Sequence, residues 1–564
     1  MKKWTDYLRV LVLFATLSGC AQWHLASADD EVDRILGKRQ DQVLGERYPV
    51  DLLVEDNLAV PPEAYGFAPE HKQGDGLARF RPLGKGSATG SRLPTTLSDP
   101  IKLDIAGVLH YALLHSREYQ FELEDIYLAT LALTLERHLW SPQWIQEVRT
   151  RLDGAGQRDD FDRLQTSEHF LSVSQRLPYG GEVVASVLTS IVNDLRQNMT
   201  DTSASSATLS VSLPLLRGSG KAAYESRIQA ERELIYAVRS FERFRREFMV
   251  QVASDYITLI AQRQQVENAE ANFRSLRQLA KRETAFFNEG QISLLEQQRA
   301  EEQALQGENN WLDEQESYKA NLDSFKLLLG MAPATPLALK KQELDVSIFQ
   351  MALETAMKMA HESRLDLLTA ADRADDARRG IAAAKNALLP DLDLDAGITA
   401  DTEPELGMAD FDGEDLGYSV ALVLSLPLDR KSERNDYRAS LISLERSRRD
   451  LSLLHDSVTV EVRRAHRRIE LERNALRIQE LNVESSNRRV DNATLRLNLG
   501  EVSNREVVEA QESLLTARNR LAQAKSSLAI SILEFARDAG VLRVDHRGHW
   551  RLPHRPAQKQ EQAQ

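Results

Sequence analysis

The sequence predicts a mainly α-helical protein with a smaller β part, built as one unit of strands and a long helical hairpin repeated twice. Three observations carry this. Proline is absent from 215–332 and from 428–552, and Gly500 is the only glycine between 429 and 539. Gly290, Ala300, Phe325 and Gly330 recur 210 residues later as Gly500, Ala510, Phe535 and Gly540. Just before each of two Ser-Leu-Pro-Leu segments, 212–215 and 425–428, the hydrophobic period switches from helical to two.

The proline-free stretches are rich in Ala, Leu, Glu, Arg and Gln, so they read as helices far longer than globular ones. From 221 to about 288 the helical rise gives roughly 100 Å, which calls for a coiled coil or a helical tube. Ala304, Trp311, Tyr318 and Phe325 recur every seven residues, and Leu514, Ala517, Leu521, Ala524 and Leu528 alternate by four and three. That is the seam of helices packed at shallow angles.

Arg117 and Pro142, 25 apart, match Arg364 and Pro390, 26 apart. Each unit therefore runs helix, proline, strands, Ser-Leu-Pro-Leu, long helix, glycine turn, long helix. The units span 101–340 and 341–541, the first with about 35 extra residues between its two prolines. A polar tail, 542–564, follows.

In the strands, Leu209, Val211 and Leu213 alternate with Thr208, Ser210 and Ser212, and Tyr418, Val420, Leu422, Leu424 and Leu426 form another alternating set. Leu392, Leu394, Ala396 and Ile398 alternate with Asp391, Asp393 and Asp395. In the first unit the leading strand has candidates at 169–175 and 182–191, split by Pro178, Gly180 and Gly181. Such a sheet has one greasy and one polar face, suited to a soluble core or to a membrane barrel. Four or five strands cannot close a barrel, because an open edge in lipid is forbidden. The membrane reading therefore requires several chains, and three copies with four strands each make a twelve-stranded barrel.

At the front, Lys2 and Lys3 precede an apolar stretch from Leu8 to Leu17, and then Leu17-Ser18-Gly19-Cys20. Residues 1–19 read as a secretory signal peptide, too short to span a membrane. The segment ending at Cys20 resembles the lipobox of bacterial lipoproteins, which implies a lipid anchor there, and Ala21 after it implies the outer membrane. Residues 20–100 read as a loop-rich leader with Pro61, Pro62, Pro69, Pro82 and Pro94. Gly84-Lys85-Gly86-Ser87 lacks the phosphate-loop spacing and reads as a turn.

Composition narrows the function. Mean hydropathy of −0.41 excludes a polytopic helical membrane protein. A net charge of −14 argues against nucleic acid as a partner, and one cysteine removes disulfide frameworks and Cys-based zinc sites. Arg463, Arg464, Arg467 and Arg468 read as salt-bridged helix surface, and His546, His549 and His554 fit no zinc template. No nucleophile elbow, HExxH or dinucleotide fingerprint supports an enzyme, a metal or a cofactor.

The doubled arrangement resembles the TolC-like outer-membrane efflux protein family, in its lipoprotein branch. The resemblance covers about 100 to 541. It rests on the Ser-Arg pairs at 116–117 and 363–364 and on Leu389-Pro390. It rests also on the tip segments Asn288-Glu289-Gly290-Gln291-Ile292-Ser293 and Leu499-Gly500-Glu501-Val502-Ser503. It implies a homotrimer with a twelve-stranded barrel in the outer membrane and an α-helical tunnel in the periplasm. Its implied partners are a periplasmic adaptor and an inner-membrane pump, and its implied role is a passive conduit without catalytic chemistry. A channel for protein secretion, or a coiled-coil adaptor without a pore, stays as an alternative. Gly290 and Gly500 would make the turns at the tips. Glu506 and Glu509 stand where such proteins carry the acidic residues that narrow the tunnel, and their spacing sets both on one helix face. Glu296 would pair with a neighbour's Arg505 to hold the tip shut.

Overall fold

A helix opens the described part of the chain. The computed structural model describes residues 21–45, 100–157, 160–194, 202–341, 351–402, 416–544 and 550–551. Cys20, the 84–87 turn and the three tail histidines lie outside these residues. Ala21–Leu44, expected as loop, is helix α1. The prolines that suggested a loop begin only at Pro61, while Val32, Ile35, Leu36 and Gln40, three to four apart, form one buried stripe. Arg39 reaches Glu231, which Arg137 also grips with hydrogen bonds of 2.7 and 2.9 Å.

The first repeat runs β1 (Ile101–Leu103), α2 (Ile105–His115), α3 (Arg117–His138), β2 (Gln143–Gln157), β3 (Asp160–Arg176), β4 (Glu182–Asp194) and β5 (Thr202–Pro214). The hairpin α4 (Glu225–Asn288) and α5 (Leu294–Leu328) and strand β6 (Leu337–Leu339) complete it. The second runs α6 (Leu353–Ser363), α7 (Leu365–Asn386), β7 (Asp391–Asp401), β8 (Leu416–Ser425), α8 (Lys431–Asn498) and α9 (Asn504–Asp538). The duplication is visible in the helices: α2 and α6 have 11 residues each, α3 and α7 have 22, α5 and α9 have 35.

One landmark shifts by a residue. The break between the paired short helices falls on Ser116 and on Arg364, both extended with ψ of 127°. Ser116 is therefore the counterpart of Arg364, and Arg117, which is exposed, is not.

The chain forms two compact units. One holds the described residues of 1–47, 126–238 and 369–452. Its strands make a single antiparallel sheet in the order β2-β3-β4-β5-β7-β8. This corrects the expected strand number: a twelve-stranded ring shared by three copies needs four per chain, and the described residues supply six to this sheet. The candidates at 169–175 and 182–191 lie in β3 and β4, and the extra hairpin β2–β3 accounts for the surplus residues of the first repeat. Trp144, Val148 and Leu152 of β2 are four apart, a spacing that suits one face of a strand and nearly suits one face of a helix, so period alone did not reveal the strand.

Where the strands meet helices, side chains tie the two repeats together. The Asn386 side chain accepts from the Gly218 N–H at 2.8 Å and donates to the Leu216 carbonyl at 3.1 Å. Arg379 donates to Glu225 at 3.1 Å, and Arg232 pairs with Asp372 at 3.1 Å.

The other unit holds the described residues of 48–125, 239–368 and 453–564. In it β1 pairs parallel with β6. Val108, Leu109 and Ala112 of α2 are buried, as are Phe325 and Leu329. Tyr119 tilts against Phe241 and Phe248 with ring centroids 5.7 and 5.8 Å apart. The heptad reading holds: Ala304, Phe325, Ala517, Ala524 and Leu528 are buried, and Trp311 stacks on Phe273 at 5.7 Å. Arg463, Arg464, Arg467 and Arg468 lie exposed on α8, with Arg468 donating to Glu472 at 3.0 Å.

Candidate functional site

Two regions carry the arrangement that function requires, one in each unit. In the sheet, paired residues across an antiparallel ladder share a face. One face reads Trp144, Val148 and Leu152 on β2, Leu171 and Val173 on β3, and Ala185 and Val187 on β4, with Gln146, Thr150, Gln165, Ser167, His169 and Thr189 among them. It continues through Leu209 and Val211 on β5, Ala396 and Ile398 on β7, and Tyr418, Val420 and Leu422 on β8. The other face carries Glu147, Arg149, Arg151, Asp153 and Glu168, serines and threonines of β4 and β5, and Asp391, Asp393 and Asp395, interrupted by Ile145, Leu164, Phe170, Val184, Leu188, Val192 and Val423. Arg149 reaches Glu147 at 2.7 Å and Glu168 at 3.6 Å, and Arg151 reaches Asp153 at 2.7 Å.

The apolar face is bare. Trp144 is 71% exposed, Tyr418 86% and Val420 70%. An apolar face of this extent needs a partner or a lipid phase. From Trp144 to Leu152 it runs nine residues, at the lower end of the roughly 9–11 a tilted strand uses to cross a bilayer. Trp144 and the exposed Tyr179 lie at the helix-bearing end, where a barrel carries an aromatic girdle. No helix among the described residues is long and apolar enough to cross a membrane.

In the other unit, the hairpins turn at Gly290 and Gly500, with φ of 71° and 75°. Each is closed by a pair of backbone bonds: Gly290 N–H to Phe287 and Gln291 N–H to Phe286, both 2.9 Å, and Gly500 N–H to Leu497 and Glu501 N–H to Arg496, 3.1 and 2.9 Å. This is the left-handed ending that glycine favours. Ser293 caps α5 through a capping box with Glu296. Leu276, Ala304 and Val508 form the core behind the turns.

Glu506 and Glu509 are both exposed on α9, while Val507, Val508 and Ala510 between and beside them are buried. Arg505 donates to Glu509 of its own chain at 2.7 Å, which raises the guanidinium pKa. Glu296 is turned back on Ser293, at 3.1 Å from both its N–H and its hydroxyl. Both partners of the expected inter-chain pair are therefore engaged within the chain.

Sequence reasoning missed two features. One is the charged ladder of β2, hidden with its strand. The other is Glu283, 4% exposed at the tip. Burial pushes its carboxyl up, Arg282 pulls against that at 3.8 Å, and Glu296 adds to it. Its position on a polar helix carries no signal of burial. No group of three or more metal-ligating side chains occurs among the described residues.

Residues 356–540 match the outer membrane efflux protein family. No curated protein matches the chain. Among solved structures, the Campylobacter jejuni CmeC outer membrane channel aligns at 12% identity over 77% of this chain and 85% of its own, with a TM-score of 0.59. The Vibrio cholerae outer membrane protein VceC aligns at 15% identity over 77% and 96%, with a TM-score of 0.59. The open state of the Neisseria gonorrhoeae MtrE outer membrane channel aligns at 13% over 77% and 88%, with a TM-score of 0.57. The resemblance to outer-membrane efflux proteins thus holds for the fold and, in sequence, for the second repeat.

Proposed function

We propose, for a chain that resembles the outer membrane efflux proteins in fold and in its second repeat, that it is an outer-membrane channel through which a periplasmic adaptor and an inner-membrane pump expel cargo. The observation that carries this is the sheet: an uncovered apolar face, a charged and hydroxylated opposite face, and two free edges. Such a sheet is stable in lipid only when further copies close it. The chain acts as a homotrimer, anchored through the lipid on Cys20, and the pump supplies the energy.

The hairpin tips, with Gly290 and Gly500 at their turns, would meet the adaptor. Glu506 and Glu509 would form an acidic ring where the tunnel narrows. Because Arg505 already holds Glu509, Glu506 carries most of the unscreened charge. Replacing Glu506 by alanine is expected to weaken divalent-cation block of single channels several-fold, and replacing Glu509 to weaken it less. Equal block in both variants and the wild type would remove the ring.

The reading itself is tested by planar-bilayer conductance of the purified protein, with its mass measured in the same preparation. A trimer with a small cation-selective conductance is the expected result. A stable monomer without conductance would overturn it.

A further inference from the structure

We infer that the extra hairpin β2–β3 is barrel wall, and that three copies close into a ring of eighteen strands, six from each chain. The inference rests on the channel reading above and concerns the size and lining of its membrane pore.

Both edge strands are made to pair. Soluble sheets blunt their edges with charge, proline or bulges. Strand β8 has ten residues, LGYSVALVLS, with no charge and no proline, and every one of them is exposed. The charges of β2 (Glu147, Arg149, Arg151 and Asp153) all lie on the polar face, so none interrupts the apolar one. The two edges also fit each other. Strand β2 leaves the helix-bearing end and β8 returns to it, so β8 of one copy meets β2 of the next antiparallel. The apolar band continues across that seam, from Tyr418, Val420 and Leu422 to Trp144, Val148 and Leu152.

The hairpin is not an appendage. Strand β3 pairs with β4 without a break from Leu164–Asp194 to Arg176–Glu182, a ladder as long as any other in the sheet except that of β2 with β3. On the apolar face Leu171 and Val173 stand beside Val187 and Ala185. A hairpin folded away in water would have no reason to keep an apolar side in register with the membrane side of its neighbours.

Barrel diameter grows about linearly with strand number. Eighteen strands make an opening about 1.5 times as wide as twelve, and give each copy a ladder of Arg149, Glu168, Glu147, Arg151 and Asp153 toward the lumen. The cargo that such a wall admits is correspondingly bulkier.

The test is electron cryo-microscopy of the full-length protein in lipid nanodiscs, beside a variant lacking residues 143–176. The expected image is a ring of eighteen strands, narrowing in the variant to about two-thirds of its diameter. Twelve strands with 143–176 outside the bilayer would overturn the inference and leave the channel reading standing. Two copies closing a twelve-stranded ring would also overturn it. No ring at all would overturn both. If the variant does not fold, the strand count of the unmodified protein still decides.

Discussion

Replacing Gly330 by alanine is expected to abolish the folded protein, whereas the same change at Gly290 is expected to be mild. Both glycines have φ above 70°, so alanine costs each about 1–2 kcal/mol of backbone strain. Their surroundings differ. A Cβ at Gly290 meets nothing within 4 Å, but at Gly330 it would lie 1.9 Å from the His115 carbonyl oxygen. That oxygen is backbone and cannot swing away, so α2 and the end of α5 must part and their buried residues lose contact. More than about 3 kcal/mol is expected beyond the strain. Gly540, the repeat counterpart, is intermediate, because its nearest neighbour is the Ser363 hydroxyl at 2.8 Å, which can rotate. Thermal unfolding and membrane yield of the three variants should therefore rank Gly290→Ala above Gly540→Ala above Gly330→Ala. Equal losses at 290 and 330 would show that φ alone matters.

The second large effect is expected at Arg364. Its guanidinium donates to both oxygens of Asp366, at 3.1 and 2.6 Å, to Glu461 at 2.6 Å and to the Asp538 carbonyl at 3.4 Å. Removing it leaves Asp366, with a side chain 12% exposed, only the Leu367 N–H at 2.9 Å and Arg243 at 4.0 Å. Breaking a buried pair from one side costs about 3–5 kcal/mol. Glu461 is half exposed and can turn to water, so about 2–4 is expected for Arg364→Ala. Lysine keeps the charge but not the fork and should recover about half.

The pH dependence has a defined sign. Burial pushes the Asp366 carboxyl up, but the hydrogen bonds and charge of Arg364 outweigh it and hold the pKa below the ordinary value. A depressed carboxylate contributes stability above its unfolded pKa and loses it as pH falls through the folded one. The gap between wild type and Arg364→Ala should therefore narrow below about pH 4. Asp538 acts oppositely: burial raises its pKa, with Arg537 and Arg364 pulling against it. It opposes folding while ionised and ceases to as it protonates. Because Arg364 favours the ionised form of both carboxylates, its removal narrows the gap in acid through either, and a gap unchanged below about pH 4 would show that neither pairing carries the effect.

Arg364 also shows why the repeats carry different chemistry on one backbone plan. Its counterpart Ser116 is 1% exposed, at the same helix break. The two Ser-Arg pairs look equivalent in sequence, but packing puts the serine of one and the arginine of the other at the break.

What the sequence determined by itself were features with local causes. Absence of proline and scarcity of glycine make α4, α5, α8 and α9 long whatever surrounds them, because helix propensity adds along the chain. Gly290 and Gly500 mark the turns because a left-handed residue is needed there. The duplication was legible because spacing is preserved without contacts having to be known. Tertiary structure alone decided the rest. Strand β2 is a strand because β3 offers it a ladder, since its apolar residues at intervals of four suit either period. Its four charges on one face become part of the polar wall only through that pairing. Helix α1 is marked by the burial of Val32, Ile35 and Leu36 rather than by strong local signals. Burial of Glu283, like the engagement of Arg505 by Glu509, depends on which helix faces meet, and hydrophobic period does not encode how polar side chains are shared between them.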